Sequence, residues 1–226
     1  MIVGKGLRFL RLAVFSLLFG LTGLGTAHSQ DMTFRLVEVG TASRCGDKCP
    51  QIIAAEGDIT AATPQLFFDF IKTHVQDKRL RAVLLVNSPG GNVVASLRLG
   101  FVLRQAGIAV VVARARADSG AFSSGRCYSA CVYALMGGKT RVIPPESEVG
   151  VHRSYIPQYG EESKRQGPDG PPQIDVEFSR KLLGQYSKRM GIGTGLVDEA
   201  LRTNPNSIHI LTRAEISRWR LAGSKL

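Results

Sequence analysis

The stretch AVLLVNSPGGNVVASLRLGFVLRQAGIAVVVAR, residues 82–114, decides the fold of this chain. It begins with a continuous apolar run at 82–87, continues through a segment at 92–107 that is predicted to be a helix ending at Gly107, and closes with a second apolar run at 108–114. Continuous apolar runs of this length are typical of strands that are buried on both faces, as in a parallel sheet. The order strand, helix, strand is that of an α/β fold.

The same alternation of apolar strands and helices extends over most of the chain. The other predicted strands are 33–40, 51–59 and 147–152. One further helix is predicted to begin with Thr63 as its N-cap and Pro64 as its first residue. Two more are predicted at 129–138 and 174–190, and a last short helix begins at the capping box TRAE (212–215). Strands that alternate with helices predict a single α/β domain with a mostly parallel sheet. Residues 153–173 are rich in Gly, Pro and charge, and we predict a mobile loop there that is long enough to serve as a lid.

Residues 1–29 are predicted to be a signal peptide rather than part of the fold. A basic start leads into an uncharged apolar run at 12–24, and small residues follow it. These are the three parts of a secretory signal peptide, and the apolar run is short for crossing a bilayer. We therefore expect a domain at 30–226 that is exported to the periplasm or the extracellular space. An uncleaved anchor, with membrane association through residues 7–27, is the alternative.

The charge of the chain gives little support to a nucleic-acid partner. Residues 1–29 hold three bases and no acid, so their removal lowers the formal net charge from +11 to +8. The remaining bases are scattered and no nucleic-acid motif occurs, which favours a basic solvated surface and no nucleic-acid binding. The pair Gly90-Gly91 matches neither the dinucleotide fingerprint nor the Walker A loop, so we predict no cofactor.

Four cysteines form two pairs with the same spacing, Cys45 with Cys49 and Cys127 with Cys131. In an exported chain two disulfides are the natural expectation, and of the three pairings we favour these local ones. The spacing C-x3-C without nearby histidines is poor for zinc, so no metal is predicted.

Ser129 stands at the start of a predicted helix, between the second pair of cysteines. At such a position the N–H of Ala130 is well placed to hold an oxyanion. His152 ends a predicted strand 23 residues later, and a histidine is suited to activate a serine near neutral pH. The alternatives are an N-cap serine and a strand-end histidine with a satisfied hydrogen bond.

Three motifs in order resemble the proteolytic subunit of the Clp protease and its exported relatives. They are NSPGG at 87–91, CYSAC at 127–131 and ALMGGKTRVIPPESEVGVH at 134–152, and the resemblance covers about residues 50–222. It implies a Clp/crotonase-like fold of stacked ββα units. It also implies hydrolysis of a peptide or unfolded protein substrate and assembly into a homo-oligomer. An exported chain has no ATP-driven unfoldase beside it, so we expect this hydrolysis to proceed without ATP, which is a departure from the family.

The resemblance also assigns roles to individual residues. Ser129 becomes the nucleophile and His152 the general base, and the N–H groups of Gly91 and Ala130 form the oxyanion hole. The bridge between Cys127 and Cys131 resembles the form seen in exported relatives, where it would clamp the turn that presents the serine.

One departure from the family concerns the third member of the triad. Ile208 occupies the position expected to hold an aspartate, in the stretch NPNSIHILTRAE (204–215), and Asn206 and Ser207 beside it are weak candidates to orient the imidazole. The alternative function is therefore a non-catalytic binding or assembly module with a degenerate site. Acyl-CoA chemistry of the crotonase kind is a third, less favoured function because an exported chain is separated from CoA.

Overall fold

The computed structural model describes Met1 and residues 31–116, 121–154 and 176–223. The predicted signal peptide beyond Met1 and nearly all of the predicted loop 153–173 lie outside the described residues. The elements, in chain order, are β1 (Thr33–Glu38), α1 (Ala42–Cys45), a 3-10 turn (Gly46–Lys48), β2 (Gln51–Glu56), α2 (Thr63–His74), β3 (Leu80–Asn87), α3 (Val93–Gln105), β4 (Ala109–Ala115), β5 (Phe122–Ser124), β6 (Arg126–Tyr128), α4 (Cys131–Met136), β7 (Arg141–Val142), β8 (Glu148–Val151), α5 (Val176–Arg189), α6 (Gly195–Arg202), β9 (His209–Ile210) and α7 (Arg213–Arg218).

The strands form two sheets within the described residues. The larger sheet has the order β1-β2-β3-β4-β5, and β7 also pairs with β4. Its pairs β2/β3, β3/β4 and β4/β7 are parallel, whereas β1/β2 and β4/β5 are antiparallel. The smaller sheet has the order β6-β8-β9, with a parallel and an antiparallel pair. The predicted α/β class with a mostly parallel sheet is confirmed.

The continuous apolar runs of β3 and β4 arise because both faces of these strands are buried. Leu84 and Val110 point into a large core that also contains apolar residues of helices α2 to α6. Leu85 and Val111, their chain neighbours, lie on the opposite face in a second, smaller apolar cluster. Alternating side chains point to opposite faces of a strand, so a strand that is covered on both faces needs an apolar residue at every position.

Several element boundaries differ from the prediction, among them the starts of two helices. Thr63 is the first residue of α2, and Ala62 is its N-cap. The Thr63 hydroxyl accepts a hydrogen bond from the Thr60 N–H (2.9 Å), which precedes the helix, and so it does not cap an N–H of the helix itself. The helix predicted at 129–138 begins only at Cys131, because β6 extends to Tyr128 and residues 129 and 130 form the turn between the strand and the helix.

The end of β3 joins the two sheets. The Ser88 N–H donates to the Arg126 carbonyl (2.8 Å), and the Tyr128 N–H donates to the Ser88 carbonyl (3.1 Å). These bonds hold β6 against the chain segment that leads into Gly90 and Gly91. The motifs at 87–91 and 127–131 are therefore neighbours in space.

Candidate active site

Ser129 occupies a strained turn between β6 and α4. Its φ is 54°, a left-handed conformation that costs a residue with a Cβ about 1–2 kcal/mol. The Ser129 N–H donates to the Gly150 carbonyl of β8 (2.8 Å), and the Ser129 carbonyl accepts from the Val132 N–H of α4 (3.1 Å). A strained strand-to-helix turn of this kind is how many serine hydrolases expose a nucleophile.

A disulfide spans this turn. Cys127 of β6 is bonded to Cys131, the first residue of α4, with a Cα–Cα distance of 5.2 Å, and both residues are fully buried. Residues 127 and 128 belong to the strand, residues 129 and 130 form a turn, and residue 131 begins the helix, so the five residues do not form a single helical turn. The second bridge joins Cys45 and Cys49 (Cα–Cα 4.9 Å), just before β2 begins. β2 and β3 are parallel, so the bridge before β2 lies near the amino ends of these strands. Ser129 and its bridge lie near the carboxyl end of β3, at the opposite ends of the strands.

His152 follows β8 and contacts the serine directly. Its Nε2 is 2.7 Å from Ser129 Oγ, and its Nδ1 is 2.8 Å from the backbone carbonyl of Pro205. A carbonyl can only accept a hydrogen bond, so Nδ1 carries the proton in the neutral ring. Nε2 is then the unprotonated nitrogen, and the Ser129 hydroxyl donates to it.

The residues suggested as a third triad member form no hydrogen bond to the imidazole within the described part of the chain. The Asn206 N–H donates to Asn204 Oδ1 (2.8 Å), and Ser207 Oγ donates to the Asn204 carbonyl (3.2 Å). Within the described residues, neither the Asn206 nor the Ser207 side chain bonds to His152. The group that contacts Nδ1 is a main-chain carbonyl, which has no side-chain signature and could not be read from the sequence.

No carboxylate of the described residues takes this place either. Ile208 is 40% exposed, and with Ile210 it covers Gly150, so that a Cβ on that glycine would overlap Ile208. The nearby acids of α6 have other partners, since Asp198 pairs with Arg180 and Glu199 with Arg202.

Gly90 and Gly91 bring their loop against the serine turn. Both have φ in the left-handed region, 117° and 127°. A Cβ on Gly90 would lie only 2.8 Å from Ser129 Cβ and 3.2 Å from the Ala130 nitrogen, and one on Gly91 would overlap the Ile59 carbonyl. In this part of the chain, neither the Gly91 N–H nor the Ala130 N–H donates a hydrogen bond to a described residue. The arrangement thus offers two amide donors beside the serine.

Ser154 is a second hydroxyl at the site that sequence reasoning missed. Its Oγ lies 3.5 Å from Ser129 Oγ. It stands two residues after His152, and in an extended chain residues i and i+2 share a face. This alternation is the signal that would have found it.

Tyr128 and Glu148 border the site on the smaller sheet. The Tyr128 hydroxyl donates to the Glu148 carboxylate. Burial and this hydrogen bond raise the pKa of Tyr128 above its ordinary value, so the phenol stays protonated at neutral pH.

The other two histidines among the described residues, His74 and His209, have partners away from Ser129. His74 Nδ1 is 2.7 Å from the Phe70 carbonyl and its ring lies against the Phe70 ring, so the side chain is half-buried. His209 Nε2 is 3.0 Å from a Glu215 oxygen. The described residues contain no cluster of three or more potential metal ligands, and none of their helices is long and apolar enough to cross a membrane.

Comparison with known proteins supports the fold. No family model matches the chain, and no curated protein matches it. Two solved structures of the 1510-N membrane-bound stomatin-specific protease do. A serine-to-alanine variant is 17% identical over 74% of each chain, with a TM-score of 0.51. A lysine-to-alanine variant in complex with a substrate peptide is 18% identical over 76% of this chain and 72% of the other, with a TM-score of 0.51. The chain therefore shares the fold of these proteases, a Clp/crotonase-like fold as the sequence resemblance implied.

Proposed function

We propose that this chain is an exported serine peptidase in which Ser129 is the nucleophile and His152 the general base. The observation that carries the proposal is the 2.7 Å contact between His152 Nε2 and Ser129 Oγ, with Nδ1 of the same ring bonded to the Pro205 carbonyl. This tautomer leaves Nε2 free to take the serine proton. Such a nucleophile and base, oriented by a further group, are the elements of serine catalysis.

The reaction would follow the two steps of acyl transfer. Ser129 Oγ attacks the peptide carbonyl while its proton passes to His152 Nε2, and the N–H groups of Gly91 and Ala130 hold the oxyanion. His152 then gives the proton to the leaving amine, which breaks the peptide bond and leaves an ester on Ser129. A water molecule, deprotonated by His152, hydrolyses the ester and restores the serine.

The Pro205 carbonyl performs one part of the role of a triad aspartate. An aspartate both fixes the tautomer of the histidine and stabilises the imidazolium that forms. The carbonyl fixes the tautomer as firmly, because it cannot donate to Nδ1. It carries only a partial charge, so it stabilises the imidazolium less. We therefore expect a working peptidase with a lower turnover than a full triad.

The substrate we propose is a short peptide or an unfolded protein segment, cut without ATP. One structural neighbour is described in complex with a substrate peptide and as membrane-bound. Two disulfides fit an oxidising compartment such as the periplasm or the extracellular space. A homo-oligomer and membrane association through residues 7–27 belong to the same proposal.

A non-catalytic binding module is the second candidate. It is favoured by one observation, that no described carboxylate contacts His152.

Peptide cleavage separates the two functions. A library of unstructured peptides is incubated without ATP with the oxidised protein and with Ser129→Ala, and the products are read by mass spectrometry. Cleavage by the wild type alone is expected. Intact peptides in both samples, with retention of peptide on the protein, would favour the binding module.

A further inference from the structure

The carbonyl that orients His152 belongs to a turn, and Asn204 holds that turn together. The Asn204 Oδ1 accepts from the Asn206 N–H (2.8 Å), and the Asn204 carbonyl accepts from the Ser207 N–H (3.0 Å) and the Ser207 hydroxyl (3.2 Å). Pro205, which lies inside the turn, has no N–H of its own and a fixed φ. Its carbonyl direction therefore depends on how the peptide group between Pro205 and Asn206 is held. The side chain of Asn204 holds that group through its N–H.

The start of the turn is fixed on two sides. The Thr203 N–H and hydroxyl both donate to the Glu199 carbonyl at the end of α6 (3.0 and 2.9 Å). The Arg153 N–H donates to the Thr203 carbonyl (3.1 Å), which ties the turn to the residue that follows His152. With Thr203 fixed, the remaining freedom is the rotation of the peptide group after Pro205. Among the described residues, two side chains bond to this group: His152 Nδ1 bonds to its carbonyl and Asn204 Oδ1 accepts from its N–H. Asn204 is the one of the two that belongs to the turn itself.

We propose that Asn204 is a positioning residue for His152. Its side chain holds the 204–207 turn so that the Pro205 carbonyl meets Nδ1, and it thereby keeps Nε2 directed at Ser129. This inference rests on the proposed function, and it assigns to Asn204 the orienting part of the role that an aspartate plays in the family the chain resembles. Asn204 touches neither the serine nor the amide donors, so its loss should reduce the rate of reaction and leave peptide binding unchanged.

Three variants test the role with a conservative rescue and a matched control. Asn204→Ala removes the acceptor, and Asn204→Asp keeps a side-chain oxygen at the same place. Asn206→Ala alters the neighbouring exposed asparagine, whose side chain makes no hydrogen bond within the described residues. The rate at which a fluorophosphonate labels Ser129, and kcat and KM for a cleaved peptide, are measured for each.

We expect Asn204→Ala to lower the labelling rate and kcat about tenfold, the size of one hydrogen bond, with KM unchanged. Asn204→Asp should stay within about twofold of the wild type, because its carboxylate accepts the same bond. Asn206→Ala should behave as the wild type. If Asn204→Ala does not fold, Asn204→Ser takes its place and should show an intermediate loss, since a hydroxyl makes the same turn more weakly.

A proton NMR measurement distinguishes failure of this inference from failure of the proposed function. The His152 Nδ1–H, bonded to a carbonyl, should give a downfield resonance that is absent in His152→Ala and broadened or lost in Asn204→Ala. If Ser129 proves unreactive in the wild type, the proposed function fails and this resonance still tests the positioning role. If Ser129 reacts and Asn204→Ala keeps both the wild-type rate and the resonance, the positioning role is wrong.

Discussion

Ser129 holds a left-handed backbone conformation that a serine adopts only under constraint. Three neighbours supply the constraint: the Gly150 carbonyl that accepts its N–H, Gly90 packed against its Cβ, and the disulfide that spans the turn. The strain places Oγ where His152 Nε2 can reach it at 2.7 Å. The cost of the conformation is thus tied to the contact that the proposed chemistry needs.

Ile208→Asp should raise the reactivity of Ser129. Val151 pairs with His209, so Ile208 lies one position further along, beside His152, and it is exposed enough to accept a carboxylate. A carboxylate there would stabilise the imidazolium that forms in the transition state. We expect labelling by a fluorophosphonate to become about tenfold faster, a part of the roughly 10⁴-fold associated with a triad carboxylate.

Ile210→Asp is the matched control, because Ile210 is 41% exposed and lies two residues further along the chain, opposite Gly150 and not beside His152. Equal rates for both variants would show that added charge, and not its place beside the imidazole, is responsible.

Part of the site could be predicted because its residues have reactive side chains, a serine and a histidine, in the order that the family motifs have along the chain. Ser129 and His152 were named from the sequence, and the geometry brings them into contact. The Pro205 carbonyl could not be named, because every residue has a carbonyl and only the fold decides which one points at the ring. Asn206 and Ser207, the candidates from the sequence, lie one and two residues after Pro205, and the contact to Nδ1 is made by the Pro205 main-chain carbonyl.

At the scale of elements, the two disulfides form a natural comparison. Both close loops of the same sequence separation, so each should contribute about 2 kcal/mol by loop closure in the unfolded chain. Only the bridge between Cys127 and Cys131 also joins β6 to α4 across the serine turn.

The double variant Cys127→Ala/Cys131→Ala should therefore lose reactivity as well as stability. We expect its Ser129 labelling rate to fall at least about tenfold, since the turn is released from its left-handed conformation. Cys45→Ala/Cys49→Ala should lower stability through the same loop-closure effect and keep the wild-type labelling rate. Urea unfolding and labelling kinetics measure the two effects. Equal labelling rates in the two double variants would contradict a role of the bridge in positioning Ser129.

The elements that sequence reasoning found are those with a local pattern. β3, α3 and β4 were predicted to within about two residues, because buried strands have continuous apolar runs and a long helix has a regular apolar pattern in the sequence. β6, β7 and β9 are only two or three residues long, and they exist because backbone groups far apart in the chain pair with one another. Such pairing leaves no local pattern to read.

At the scale of the whole molecule, the site lies where the two sheets meet. β3 of the larger sheet ends at Asn87, and Ser88 after it pairs with Cys127 of β6. Ser129 directly follows β6 and His152 directly follows β8, so both lie at the same end of the smaller sheet. The α/β class was predictable because the strand and helix pattern repeats along the chain. The division into two sheets was not, because the smaller sheet consists of the short strands β6, β8 and β9, which are paired by the fold and not by a local pattern.

The free energy of unfolding should decrease as the pH is lowered, and Glu215 contributes to this decrease. Desolvation raises the pKa of Glu215, but hydrogen bonds from the Thr212 N–H and hydroxyl and from His209 lower it further, so the net pKa lies below its ordinary value. The unfolded chain then binds the proton at a higher pH than the folded one. The stabilisation is present above the unfolded pKa and is lost as pH falls through the folded pKa.

Glu215→Gln should therefore be less stable than the wild type near neutral pH and should show a flatter loss between about pH 5 and pH 3. Urea unfolding at a series of pH values measures this. Glu146→Gln, which removes an exposed carboxylate without a hydrogen bond in the described part of the chain, controls for the change in net charge. Parallel curves for Glu215→Gln and the wild type would contradict the assignment.

Fluorophosphonate labelling of the folded, oxidised protein, mapped by mass spectrometry, tests the central claim that His152 activates Ser129. The account predicts one adduct, located on Ser129, absent in Ser129→Ala and formed at least about 100-fold more slowly in folded His152→Ala. Absence of an adduct on the folded wild type, or an equal rate in His152→Ala, would contradict it.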